Sequence, residues 1–482
     1  VAAPPSSIGK FGGDTDNWIW PRHTGDFSMF RVYASKDNRP AAYSPQNVPY
    51  RPKKHFSIST KGVKEGDFTM IYGFPGNTQE YILSDAVAYI AERSDPAKIA
   101  IRTGRLDIIT KAQESDPALR IHYAAKHASI ANAWKKWQGE ALGIDRRGTV
   151  AAKFDYETQF GLWSVGRPEY AGVVMGLRAE YDRIMDAYFA YEITRETLST
   201  LPAAYTPEER AEECFARRKF AEQALWRHAF REYGRCPKVY RTPSYAEGMA
   251  RYKSPEAYAD ALFEAVWEGS DSVAMQPAVR LREETKRMLD HISWMLGTKS
   301  LRNLNSKILN ELYTTYIKGL REWDRERAFY PDANLTLRVA YGSVAGYEYA
   351  DGEYHKPQTT LDGIIAKDNP EIYDYDIPQS LRDLYASKNY GRWGTVIDGR
   401  RTVPVCFLAT NHTTGGNSGS PVLNAGGELI GINFDRTWRS TMSDIAFDPA
   451  ICRNIAVDIR YVLFVVDRVG GAGYLLKEMT LK

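Results

Sequence analysis

The 482-residue sequence predicts an α+β protein of several domains, with helical chain between two β-rich segments. Two observations predict this order. Aromatic and β-branched runs bounded by glycine and proline, which are typical of strands, fall within residues 1–80 and 329–482. Residues 81–328 instead carry apolar residues at helical spacing among many charges. We therefore expect a large all-α domain inserted between two β segments.

Local signals place individual elements within these segments. In the first segment we predict strands over Phe27–Tyr33 and Phe68–Tyr72. Three helices of the middle segment are predicted to begin where a capping side chain precedes proline, at Asp95-Pro96, Thr206-Pro207 and Ser254-Pro255. The last segment is predicted to hold strands Leu335–Tyr341, Val403–Leu408, Pro421–Leu423, Glu428–Phe434 and Asn454–Val457, followed by a helix from an Asp458 cap to about Asp467.

Composition excludes several classes of function. Lys and Arg total 63 against 60 Asp and Glu, a formal charge of +3, so neither nucleic acid nor an anionic membrane is expected as the main partner. The longest apolar run, Tyr461–Val466, is far shorter than the ~18 residues of a membrane span. No zinc site is predicted, because Cys214, Cys236, Cys406 and Cys452 show no ligand spacing; whether they form disulfides stays open.

A glycine-flanked serine is the strongest chemical feature. Residues 415–421 read Gly-Gly-Asn-Ser-Gly-Ser-Pro and precede two predicted strands. On such a bend the Ser418 hydroxyl can act as a nucleophile, while the backbone N–H groups of Gly416 and Ser418 stabilise a developing oxyanion. The alternative is an ordinary Gly/Ser-rich hairpin turn. The strand-turn-strand that follows, ending in Asp435-Arg436, favours the catalytic interpretation.

A serine nucleophile needs a base and an orienting acid. Asp26 begins a predicted strand after a glycine, where a carboxylate can hold an imidazole; its alternative is a turn aspartate. His23 lies in what resembles a structural turn, and His412 in the loop that leads to Ser418. Neither is a convincing general base, and the remaining histidines have no favourable context.

Five motifs together resemble the chymotrypsin-clan bacterial dipeptidyl peptidases, in the same order and over nearly the whole chain. They are Asn17-Trp18 with Pro21-Arg22-His23-Thr24-Gly25-Asp26, Tyr72-Gly73-Phe74-Pro75-Gly76-Asn77-Thr78, Asn132 with Trp134-Lys135-Lys136, Tyr330-Pro331-Asp332-Ala333-Asn334, and Gly416–Pro421. The resemblance implies a chymotrypsin-like double β-barrel serine exopeptidase with an inserted helical cap domain. Residues 1–80 would form the C-terminal part of an incomplete first barrel region, 81–328 the cap, and 329–482 the second barrel region with its C-terminal helix.

The resemblance also implies roles for individual residues. It makes Asp26 the triad acid, Ser418 the nucleophile and Gly416 an oxyanion donor. The groups it assigns to the substrate's free N-terminus are Asn17, Trp18, Asn132 and Asp435. We expect Phe434, Asp435 and Arg436 to line the pocket for the residue before the cut, where arginine goes with Asp/Glu preference; the alternative for Arg436 is a solvent-facing loop charge.

The predicted activity is therefore the release of dipeptides from oligopeptides with a free N-terminus by a serine exopeptidase that prefers Asp or Glu just before the cleaved bond, without cofactor or metal. Because the family's histidine comes from upstream of the acid, the sequence predicts that the base lies on a missing N-terminal segment. A location in the periplasm or at the cell surface of a Gram-negative bacterium is implied, and a homodimer is allowed. Alternatives are a dipeptidyl peptidase of apolar preference, a trypsin-like endopeptidase and a non-catalytic peptide-binding protein that lacks the histidine.

Overall fold

The computed structural model describes residues 3–269, 272–297 and 303–482. The chain divides into two compact units. The β unit comprises Val1–Glu80 and Asp332–Lys482, and the helical unit comprises Tyr81–Pro331. The β unit is thus built from two separated stretches of sequence, whereas the helical unit is continuous.

The β unit contains every strand that the described residues form. The strands, numbered in chain order, are β1 (Tyr33–Ala34), β2 (Val48–Pro49), β3 (Phe68–Gly73), β4 (Arg338–Ser343), β5 (Tyr347–Ala350), β6 (Glu353–His355), β7 (Gln358–Thr360), β8 (Thr395–Ile397), β9 (Arg400–Thr402), β10 (Pro404–Ala409), β11 (Pro421–Leu423), β12 (Leu429–Arg436) and β13 (Asn454–Asp458).

One antiparallel sheet of seven strands dominates the β unit, in the order β4-β3-β11-β12-β13-β10-β7. The end of β4 also meets the end of β10, because Val344 and Ala409 form an antiparallel bridge and the Thr410 amide donates to the Ser343 carbonyl at 2.9 Å. A strand at one end of the order is thereby tied to a strand near the other end.

Both faces of this sheet are buried at β10 and β13. Alternating residues of β13 show the division, since Ile455 and Val457 belong to one apolar core while Ala456 belongs to a second core with Ile71 and Phe407. A sheet covered on both faces holds its strands rigidly, so loops between its strands have fixed ends.

Helices form nearly all of the helical unit and flank the sheet of the β unit. Numbered in chain order through both units, they are α1 (Ser6–Gly9), α2 (Ser84–Ala88), α3 (Asp95–Ser115), α4 (Pro117–Arg146), α5 (Thr149–Ser164), α6 (Val173–Glu196), α7 (Pro207–Ala211), α8 (Lys219–Tyr233), α9 (Pro243–Tyr252), α10 (Pro255–Glu268), α11 (Ser272–Met295), α12 (Lys307–Trp323), α13 (Leu361–Lys367), α14 (Gln379–Ser387) and α15 (Ile459–Phe464).

Most predicted boundaries agree with the structure, but one predicted cap and one predicted strand do not. Thr206 and Glu209 form the predicted capping box, and the Ser254 side chain accepts the Ala257 amide. The α-helix α3 begins at Asp95 as predicted, but the predicted cap is wrong, because a π-helical turn over Tyr89–Ser94 joins α2 to α3 and Asp95 is already helical. The predicted strand Phe27–Tyr33 is wrong, because among these residues Met29 forms only an isolated bridge and Tyr33 alone belongs to a strand, β1.

Two further features bear on the predicted classes. In the described ranges, every helix falls short of the length or apolarity needed to cross a bilayer. All four cysteines are free thiols. Burial raises the pKa of Cys236 and of Cys452 to about 11, so neither is an activated thiol.

Candidate active site

The turn that carries Ser418 is held in place by its neighbours. It joins β10 to β11, and the Asn417 side-chain oxygen accepts the Thr414 amide at 3.1 Å. The Gly419 amide donates to the Asn433 carbonyl at 2.8 Å, which fixes the turn to β12. Asn417 is buried whereas Ser418 is exposed. The turn therefore presents one serine on a rigid support.

Glycine is required at position 416. Its φ of +104° is one that L side chains rarely adopt. A Cβ there would lie 2.4 Å from the Phe74 carbonyl oxygen, so the loop around Phe74 can approach the turn only because the side chain is absent. The adjacent contact is a 2.6 Å hydrogen bond from the Gly76 amide to the Gly415 carbonyl.

Two backbone donors face no acceptor of the described chain. Within residues 3–269, 272–297 and 303–482, the amides of Gly416 and Ser418 donate no hydrogen bond. Both residues are exposed, so their donors are available to an oxyanion formed beside the Ser418 hydroxyl.

A β-bulge connects Ser418 to the next candidate residue, Asp435. In the pairing of β12 with β13, Asn433 opposes Ala456 and Asp435 opposes Ile455, so Phe434 is the extra residue. Its carbonyl is left out of the ladder and accepts the Ser418 hydroxyl at 3.3 Å. The candidate nucleophile thus lies against the residue that directly precedes Asp435.

The Asp435 carboxylate is largely buried and partly occupied. Its Oδ2 atom accepts the Arg22 guanidinium at 2.8 Å and the Trp18 amide at 3.2 Å. Its Oδ1 atom accepts the Arg436 amide at 2.8 Å. A carboxylate offers about four lone-pair sites, so a place remains on Oδ1 for one further donor.

Arg22 is a site residue that sequence reasoning missed. Its Nε donates to Thr24 Oγ1 at 2.7 Å, its Nη1 also donates to the Asp16 carbonyl at 2.8 Å, and its guanidinium lies 5.2 Å from the Phe434 ring centroid. Its side chain is 8% exposed, as is that of Asp435. The one signal in the sequence was its position inside the motif that ends at Asp26.

Asp26 lies within electrostatic reach of this pair. Partial burial raises the pKa of its carboxyl above the usual range, and the negative Asp435 adds to the rise; Arg22 and Lys10 oppose it. Since Arg22 and Asp435 both act on Asp26, the structure brings the predicted acid near the predicted clamp.

Trp18 and Asn17 complete this side of the site. Trp18 has a left-handed backbone, with φ of +65°, and its ring lies 5.6 Å from the Arg436 guanidinium carbon. Asn17 is half-buried beside it in sequence. Asn132 is exposed on α4 of the helical unit, so its predicted role toward the substrate stays a prediction.

Arg436 is buried in an ion pair. Its Nη1 and Nη2 donate to the two carboxylate oxygens of Asp444 at 2.6 and 2.7 Å, and Nη1 also donates to the Thr413 carbonyl and to Ser443 Oγ. Arg436 is only 3% exposed, so the alternative that it is a solvent-facing loop charge is wrong. Its role toward substrate stays a prediction.

Neither His23 nor His412 has the surroundings of a general base. His23 is buried, and its burial, together with Lys367 and Arg22, lowers its pKa to about 3. His412 stacks on Phe447, and its two ring nitrogens lie 3.0 Å from the Ser443 carbonyl and 3.3 Å from Glu80 Oε1. The Ser418 hydroxyl bonds to neither histidine.

One group of potential metal ligands occurs in the described part of the helical unit. It consists of His122, Glu212 and Cys214. Each residue offers one ligand atom, and the three atoms lie within 4.8 Å of one another. Arg218, however, donates to His122 Nε2 at 2.7 Å and to Glu212 at 3.3 Å. This guanidinium supplies the positive charge that a metal ion would bring.

Comparison with known proteins decides the family. The sequence profile of Peptidase S46 matches residues 1–220 and 203–481. The chain belongs to the Peptidase S46 family. The predicted resemblance to dipeptidyl peptidases is thereby confirmed.

The named relatives of this S46 chain are dipeptidyl-peptidases. It is 42% identical over 527 residues to the Asp/Glu-specific dipeptidyl-peptidase of Capnocytophaga gingivalis and 35% identical over 522 residues to the dipeptidyl-peptidase 7 of Phocaeicola vulgatus. Each alignment covers the whole chain and 72% of the relative. Among solved structures, Porphyromonas endodontalis DPP11 in complex with the dipeptide Arg-Glu matches with a TM-score of 0.85 and 34% identity, over the whole chain and 74% of that protein. The α+β class is therefore confirmed.

Proposed function

We propose that this chain carries the nucleophile, the triad acid and the N-terminus clamp of a serine dipeptidyl peptidase that prefers Asp or Glu before the cleaved bond. Membership in Peptidase S46 and the names of the relatives support this activity. The observation that carries it is the hydrogen bond from Ser418 to Phe434, because the next residue along the strand is the carboxylate Asp435.

The length of a dipeptide explains why such a site would cleave after the second residue of the substrate. An extended dipeptide spans about 7 Å at 3.3–3.6 Å per residue, and consecutive Cα atoms are about 3.8 Å apart. A carboxylate one residue from the carbonyl that Ser418 contacts is therefore within reach of a substrate's ammonium group when the second peptide bond meets Ser418. A carboxylate binds the charged N-terminus of a peptide more strongly than an uncharged internal segment.

The reaction follows from the residues described. Ser418 Oγ attacks the scissile carbonyl, a histidine takes its proton, Asp26 orients that histidine, and the amides of Gly416 and Ser418 stabilise the oxyanion. We place the histidine outside the 482-residue sequence, since a pKa of about 3 makes His23 too weak a base and both ring nitrogens of His412 face other groups.

We further propose that Arg436 selects the acidic side chain and that the β unit contains the second barrel of a chymotrypsin-like pair, with the helical unit inserted as a cap. The bridge between Val344 and Ala409 supports a closed barrel, because it ties β4 to β10. The division of the chain at Tyr81 and Pro331 supports the insertion. Location in the periplasm or at the cell surface belongs to the same proposal.

Labelling with a fluorophosphonate tests the nucleophile. The chain extended upstream through its own gene should label, and Ser418→Ala should abolish labelling while the thermal melt stays nearly unchanged, because the exposed hydroxyl makes one 3.3 Å hydrogen bond worth about 1 kcal/mol or less. Ser420→Ala in the same turn is the matched control and should still label. Labelling that survives in Ser418→Ala would overturn the assignment, and an extended wild-type protein that never labels would favour a peptide-binding protein without catalysis.

A further inference from the structure

Asp444, the bidentate partner of Arg436, is a charged residue of this site to which the proposed function gives no role. Asp444 ends a 3-10 turn over Trp438–Asp444, and its side chain is 12% exposed. Its two oxygens take the guanidinium fork that a carboxylate ligand would take. In the chain without substrate, Arg436 is thus already neutralised by a carboxylate of its own protein.

Two uncharged groups also hold the guanidinium. Nη1 donates to the Thr413 carbonyl at 3.1 Å and to Ser443 Oγ at 2.8 Å. Both acceptors stay in place if Asp444 loses its charge, and an amide oxygen at position 444 still accepts a hydrogen bond. The main effect of such a change is therefore on charge, with the position of Arg436 kept.

We propose that Asp444 is a specificity-determining residue, which competes with the substrate's acidic side chain for Arg436. This inference rests on the proposed function. A second carboxylate brought to Arg436 is attracted by the guanidinium and repelled by Asp444, so Asp444 limits the affinity for Asp and Glu substrates. It also spares Arg436 from burial as an unpaired charge when the substrate is not acidic, since a buried guanidinium without a counterion destabilises the fold.

Binding of two near-isosteric dipeptides tests the inference. Ala-Asp and Ala-Asn differ by one charge, and calorimetry of the wild-type chain gives the ratio of their dissociation constants. Asp444→Asn should raise the preference for Ala-Asp at least tenfold, mainly through tighter binding of Ala-Asp. Arg436→Gly should bring the ratio close to one. Ala-Asp should also raise the melting temperature of Asp444→Asn more than that of the wild type, because the ligand supplies the missing counterion.

A matched control separates this effect from general loss of an ion pair. Asp368→Asn breaks a bidentate pair with Arg382, whose two bonds are both 2.8 Å, and its side chain is 14% exposed. It should leave the ratio unchanged. Asp444→Ser makes the same change of charge and replaces Asp444→Asn if the latter fails to fold.

The outcomes distinguish the inference from the function on which it rests. If Arg436→Gly removes the preference but both Asp444 variants keep or lower it, Asp444 only positions Arg436 and the inference is overturned. If Arg436→Gly keeps the preference, Arg436 is not the selector. If the wild-type chain binds neither dipeptide, the proposed function and the inference fail together.

Discussion

The proposed clamp for the substrate's N-terminus can be tested by a thermodynamic cycle between Asp435 and the α-amine. One arm replaces Asp435 with Asn, and the other acetylates the α-amine of Ala-Asp. Acetylation should weaken binding to the wild type but not to Asp435→Asn, because each change removes one member of the same charge pair.

The structure sets the size of the coupling. An ammonium about 4 Å from a carboxylate gains about 4 kcal/mol at an effective dielectric constant of 20. Arg22, 2.8 Å from the same carboxylate, lies on its other side and repels the ammonium; at a separation of about 8 Å this costs about 2 kcal/mol. Acetylation should therefore weaken binding to the wild type by about 2 kcal/mol, or roughly 30-fold. The Arg22 repulsion is present in both proteins and cancels in the cycle, so the expected coupling is about 4 kcal/mol.

Calorimetry with both peptides and both proteins measures this coupling directly. Asp435→Asn leaves the largely buried Arg22 without its counterion, so stability should fall by about 3–5 kcal/mol, and urea denaturation must show that the variant is folded. Asp458→Asn is the control, because it breaks another buried pair, with Arg460 at 2.7 Å, outside the proposed clamp. A coupling below about 0.5 kcal/mol, or an equal coupling in the control, would refute the clamp.

Two further predictions concern the turn and a buried histidine. Gly416→Ala should abolish fluorophosphonate labelling and lower the melting temperature, because its Cβ would meet the Phe74 carbonyl at 2.4 Å, whereas Gly415→Ala, with no atom within 4 Å, should change neither; equal effects would contradict the geometry. For His23, the pKa of about 3 in the folded state lies below the unfolded value of about 6.5, so its contribution is present above pH 6.5 and is lost as the pH falls toward 3. The free energy of unfolding should lose about 2.5 kcal/mol between pH 7 and pH 4.5 from this group alone, and urea denaturation of His23→Gln should show a correspondingly shallower dependence; parallel profiles would contradict it.

The parts of the site that follow from local sequence were predictable. Pro421–Leu423 is a strand as predicted, and β12 and β13 differ from their predicted ranges by one or two residues at an end. A glycine-rich bend between apolar runs, here ending at Pro421, has few other structures available. For the same reason the exposed position of Ser418 could be expected from its neighbours.

The charge pairs of the site could not be predicted. Arg22 and Asp435 are 413 residues apart in sequence. Nothing in the sequence around either residue identifies the other as its ion-pair partner. Arg436 and Asp444 are only eight residues apart, yet a sequence does not say whether an arginine faces the substrate or an aspartate of its own chain. Which charged side chains form an ion pair depends on which of them the tertiary fold buries together.

The bulge at Phe434 explains why Asp435 follows directly after the carbonyl that Ser418 contacts. In a regular strand, neighbouring side chains point to opposite faces and every second carbonyl pairs with the next strand. An extra residue bends the strand and increases its local twist, and bulges of this kind re-aim side chains beside active sites. Here the bulge also leaves the Phe434 carbonyl for the Ser418 hydroxyl. One irregular residue thus places the proposed nucleophile beside the proposed ammonium clamp, and the proposed acid selector Arg436 is the next residue of the strand, so a substrate with a free N-terminus and an acidic second residue would meet all three.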